Sequence, residues 1–119
     1  MAGQEIPPWL REQLERFEKL QQNLQAVLIQ KQQVEAELRE IERALEELKK
    51  VGPEGVVYKS AGSILVRVDK GELEKELEEK KELSNTRLMV LGKQETKLRE
   101  SLKELQDRIS EAVRERKAG

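Results

Sequence analysis

The side chains able to do chemistry in this chain are carboxylates, ammonium groups and guanidinium groups, and little else. Of 119 residues, 24 are Asp or Glu and 23 are Lys or Arg, with no histidine and no cysteine. Lacking cysteine, the chain has neither disulfides nor thiolate metal sites. Lacking histidine, it has lost the commonest general base and metal ligand. No glycine-rich loop stands ready for phosphate, and most of the Glu and Lys residues fall on the water-facing positions of a seven-residue repeat. No catalytic, cofactor or metal site is expected, and the chain reads as a non-enzyme. What remains is the chemistry of apolar surface.

That surface must be positioned by helices. Charged residues make up 39 % of the chain and aromatics 3 %, a composition that suits coiled coils or long helices. From Leu10, apolar residues recur every seven: Leu10, Phe17, Leu24, Leu38 and Leu45 at one position, Leu20, Val27, Val34, Ile41 and Leu48 at the other. Gln13 and Lys31 interrupt this array, which predicts a coiled-coil helix over 8–51. Pro8 suits its first turn, Lys49 and Lys50 its last, and Gly52-Pro53 ends it. A second array predicts a helix over 70–116, with Leu88, Leu102 and Ile109 at one position and Leu77, Leu91, Leu98, Leu105 and Ala112 at the other. Glu74, Lys81, Ser84 and Glu95 weaken it, and Asp69 with Glu72 resembles a capping box at its start.

Folded antiparallel, the arrays match in one register: Leu10 faces Ala112, Phe17 faces Leu105, Leu24 faces Leu98 and Leu45 faces Leu77. The expected fold is mainly α, a long antiparallel two-helix coiled coil whose helices are each on the order of 65 Å long. Lys31 and Glu95 lie about one turn apart across this seam and either pair to fix its register or stay apart, one snorkelling and one wet. The stretch Leu83-Ser84-Asn85-Thr86, with Gly92 after it, is poor helix sequence and predicts a soft segment.

Between the helices the pattern changes. Val56-Val57-Tyr58-Lys59 and Ile64-Leu65-Val66-Arg67-Val68 flank Ser60-Ala61-Gly62-Ser63, which predicts a β-hairpin over 56–68. Two strands alone are marginal in water and leave unpaired backbone groups along both edges. A plain linker between antiparallel helices needs only ~2–8 residues and no such apolar content. The hairpin therefore reads as an assembly handle, with Val56, Val57, Tyr58, Ile64, Leu65, Val66 and Val68 completing a β-barrel with strands from other subunits.

"VYKSAGSILVRVDKGEL" between two such arrays closely resembles the prefoldin β-type subunits, as do "LQQNLQAV", "QKQQVEAEL" and "ALEEL" in the first helix. The likeness spans most of the chain, Pro7 to about Val113, as a single prefoldin-like domain over 1–119. One hairpin fits the β type, whereas α-type subunits carry two; "LSNTRLMVLG" is less regular than the family's second helix. The resemblance implies an ATP-independent cochaperone, a hexamer of two α-type and four β-type chains. Its coiled-coil tips hold unfolded client proteins and hand them to a group II chaperonin in the cytosol.

On that reading the client-holding residues lie near the termini, where apolar residues exceed the seam. Ile6, Trp9, Leu14 and Val113 stand beside Leu10, Phe17, Leu105, Ile109 and Ala112. Trp9 is alternatively a staple sealing the helix start, and Phe17 plain seam packing. The final "SEAVRERKAG" is either a chaperonin-docking tail or a solvated end. The rival function is a structural or tethering coiled coil without client binding. The net charge of −1 argues against nucleic acid as a partner. No apolar run approaches the ~20 residues of a membrane span, and the N-terminus lacks a signal-peptide core. A soluble, cytoplasmic protein is expected, and its wealth of Lys, Glu and Arg would suit a thermophile.

Overall fold

Two proline carbonyl and ring effects start the first helix. The computed structural model describes residues 5–118, and in it the Pro7 carbonyl accepts from the Leu10 and Arg11 amides at 3.1 and 3.0 Å. Pro8 is then the first helical residue, where a missing N–H costs nothing. Helix α1 runs Pro8–Lys49 and strand β1 runs Val57–Ala61. Strand β2 runs Ile64–Val68 and helix α2 runs Lys70–Ala118. Helix α1 stops two residues short of its expected end. The Lys50 and Val51 amides reach the Glu47 and Leu48 carbonyls, one residue closer than an α-helical bond, so the last turn tightens before Gly52-Pro53. Helix α2 begins where Asp69 caps it: its Oδ2 accepts from the Glu72 amide at 3.0 Å.

The strands pair antiparallel, Val57 opposite Val68 through Ala61 opposite Ile64, as a two-stranded sheet. The turn is shorter than the four residues expected. Ser60 and Ala61 belong to β1, Val56 lies outside it, and only Gly62-Ser63 connect the strands. Gly62 has φ 62° and Ser63 stays at negative φ. That is the II′ arrangement, whose twist matches the strands and which needs glycine first.

The chain divides into two compact units. One combines the segments up to Gln30 and from Leu91. Within it Asn23, Val27 and Gln30 share a groove with Gln94 and Leu98, and Arg116 Nη2 donates to the Glu5 carbonyl at 3.3 Å. The other unit is Lys31–Val90. Within it Glu37 pairs with Arg87 at 3.8 Å, and Ala44 and Leu48 share a groove with Leu73 and Leu77. In each unit the helical segments run antiparallel in the register of the heptads.

Burial follows the same repeat. Leu10, Val34, Ile41, Leu45, Leu48, Leu91 and Leu105 are buried, and every other seam position is at least half-buried, including Lys31, Glu74, Lys81 and Glu95. Ser84 is the one polar residue fully within the seam among the described residues. The stretch expected to weaken α2 is continuous helix, with Thr86 Oγ1 donating to the Glu82 carbonyl and Thr96 Oγ1 to the Gly92 carbonyl.

Candidate functional site

Apolar side chains that the seam leaves uncovered form two candidate surfaces, each within one unit. The first lies where α1 begins. Trp9 and Leu14 occupy the positions that flank the seam on either side, and both are exposed, as is Ile6 just before the helix. Trp9 thus keeps about half of its surface open to water. Leu10 and Leu105 are buried in the seam, while Phe17, Ile109, Ala112 and Val113 are half-buried. Of the residues expected to hold clients, Ile6, Trp9 and Leu14 are the ones that face water in this conformation.

The second surface is the hairpin. Side chains alternate along a strand, and residues paired across an antiparallel ladder share a face. Val57, Lys59 and Ala61 therefore lie on one face with Val68, Val66 and Ile64. Tyr58 and Ser60 lie on the other with Arg67 and Leu65. Val57 is buried at the base, beside Leu48, Leu73 and Leu77. Towards the turn burial is lost on both faces: Ile64 is 61 % exposed, Leu65 71 % and Tyr58 58 %. The outer edges of both strands have no neighbour in the two-stranded sheet. A ribbon with apolar residues on both faces and two open edges suits strand addition on either side and cover above and below.

Two lysine contacts tie the hairpin and its connecting segment to the helices. Lys59 Nζ lies 2.5 Å from Glu76 Oε1, which also sits 3.6 Å from Lys80 Nζ. The hydrogen bond from Lys59 holds the Glu76 carboxyl below the ordinary value of 4.5, aided by the charges of Lys59 and Lys80 and opposed by partial desolvation. Lys70 Nζ donates to the Val51 carbonyl at 2.7 Å, tying the start of α2 to the end of α1.

Ile29, Leu83, Met89 and Val90 are also exposed, and the heptad reading passed over them. Their signal was present: all lie outside the seam positions on otherwise charged helices. Among the described residues no group of carboxylates could hold a metal ion, and no helix is long and apolar enough to cross a membrane.

Comparison with known proteins agrees on one family. The family described as "Prefoldin subunit" matches over residues 11–116. A prefoldin subunit beta of Archaeoglobus fulgidus is 49 % identical over 105 residues, covering 88 % of this chain and 90 % of its own. One from Pyrococcus furiosus is 42 % identical over 116 residues, covering 98 % and 99 %. The crystal structure of the prefoldin beta subunit from Thermococcus strain KS-1 superposes with a TM-score of 0.84 at 43 % identity, covering 93 % of this chain and 97 % of that one.

Proposed function

The chain belongs to the prefoldin subunit family, on its β-type branch, and from that premise we propose that it works as a holdase subunit. The family is a non-enzymatic chaperone cofactor whose members assemble with one another. The finer reading is that this chain joins three more β-type and two α-type chains through its hairpin, in the cytoplasm. It holds unfolded proteins without ATP on the apolar surface around Ile6, Trp9 and Leu14, and passes them to a group II chaperonin.

The observation that carries this reading is the hairpin: a two-stranded sheet with open edges whose outer residues, Tyr58, Ile64 and Leu65, face water on both sides. Such a ribbon is marginal alone and gains cover and ladder partners by joining others. Exposed apolar residues near the helix start supply holding surface of a sequence-tolerant kind, each contact weak and several chains together giving avidity.

The test mixes the chain with an archaeal α-type prefoldin subunit, measures the mass of the product, and assays suppression of client aggregation. A hexamer with twice as many β-type as α-type chains that keeps a denatured client soluble is expected. A chain that stays monomeric beside the α-type subunit refutes the assembly reading. Assembly without protection of the client would favour a tethering coiled coil.

A further inference from the structure

Beyond Val57, an ion pair ties the hairpin to α2. Strand β1 leaves its buried base at Val57, and two residues on, Lys59 reaches from the same face to Glu76 on α2. Past Lys59 the ribbon is exposed: Ser60, Ala61, Ile64, Leu65 and Val66 all face water. The Lys59–Glu76 contact is therefore the outermost fastening of the ribbon to its helices. A single carboxylate oxygen, Oε1, serves both Lys59 and Lys80. Lys80 stands one turn after Glu76 on the same helix and places a second cation beside that carboxylate. Below this fastening the Lys70 bond to the Val51 carbonyl closes the two ends of the connecting segment.

We propose that Lys59, Glu76 and Lys80 form a latch that sets the angle of the hairpin to α2, and so presents its edges in the orientation that neighbouring subunits can extend. This rests on the assembly reading above. A ribbon attached only at Val57 would sample a range of tilts, and each joining event would have to select one. A latched ribbon has already lost that freedom, so association needs less ordering. Glu76 is a positioning residue for assembly; it need not touch the partner.

The test is a double-mutant cycle with Lys59→Met, which keeps an apolar stem, Glu76→Gln, and both together. Two readouts are taken in low-salt buffer: amide exchange of residues 57–68 in the isolated chain, and association with an archaeal α-type subunit. Pairs of this kind set the scale, and each single substitution should speed hairpin exchange and weaken association by about two- to five-fold. The double variant should be no worse than the more affected single. Reversing the whole triad, Lys59→Glu with Glu76→Lys and Lys80→Glu, should restore both readouts. Unchanged single variants, or a double variant whose effect is the product of the two singles, would overturn the latch. If the native chain fails to associate at all, the assembly reading falls while the exchange cycle still decides whether the latch exists.

Discussion

Replacing Ile6, Trp9 and Leu14 together by serine removes the apolar surface that the chain offers to water where α1 begins. These residues are 43 %, 49 % and 40 % exposed. With roughly 200 Å² of side-chain surface for Trp and about 150 Å² for each aliphatic residue, the three present on the order of 200 Å². At ~25 cal/mol per Å² full cover by a client is worth about 5 kcal/mol per chain, and half cover about 2.5 kcal/mol. Losing the latter weakens holding roughly 50–100-fold per contact before avidity is counted. The assay is light scattering from a chemically denatured client, read as the chaperone concentration that halves aggregation. The right comparison is Leu83, Met89 and Val90 changed to serine, which removes a larger exposed apolar area from α2 instead. Helical circular dichroism should be unchanged in both, since none of the six residues is buried. Holding that survives the first set, or falls as far with the second, refutes the assignment of client contact to the start of α1.

Other outcomes follow from packing, backbone and charge. Val34 is 1 % exposed in the seam, and Val34→Ala should cost about 2 kcal/mol, seen as a lower urea midpoint with an unchanged slope. Gly62→Val forces a β-branched residue to φ 62°, at a cost of about 1–2 kcal/mol that a two-stranded ribbon can ill absorb. Exchange in β1 and β2 should accelerate while the amides of α1 stay protected; equal exchange in the variant would contradict the turn assignment. Glu76 is held below 4.5 in the folded chain, so its carboxylate stabilises the fold fully above 4.5 and progressively less as pH falls through the lower folded value. The stability difference between the native chain and Glu76→Gln should therefore be constant at neutral pH and vanish in acid, as followed by thermal melts across pH.

The seam was legible because its signal is periodic and redundant. Leu10, Val34, Leu45 and Leu105 each sit where the seven-residue spacing puts them, and even the polar interruptions Lys31 and Glu95 are half-buried on the same stripe. The hairpin was legible from its β-branched runs and Gly62, though its turn was read two residues too long, because strand propensity alone does not reveal that Ser60 and Ala61 still pair. The stretch from Leu83 to Gly92, poor in helix propensity, lies within continuous helix, where Ser84 and Leu91 are buried in the seam and Leu83, Met89 and Val90 face outward. The Lys59–Glu76 contact was beyond reach, since it depends on how the ribbon leans against a helix, which neither spacing nor composition encodes.

The hairpin's place between two antiparallel helices also sets an order of events in folding. Lys59 and Glu76 are 17 residues apart, whereas Arg116 and the Glu5 carbonyl are 111 apart. Closing the longer loop from an open chain costs about 1.7 kcal/mol more than closing the shorter one. Closure should begin beside the turn and zip outward, each layer shortening the loop for the next. During synthesis α1 leaves the ribosome with its seam bare, and its first turns wait for the last turns of α2. The surface around Trp9 is thus the last to gain its backing, so a partly made copy exposes there the kind of apolar stretch that a holdase would itself collect.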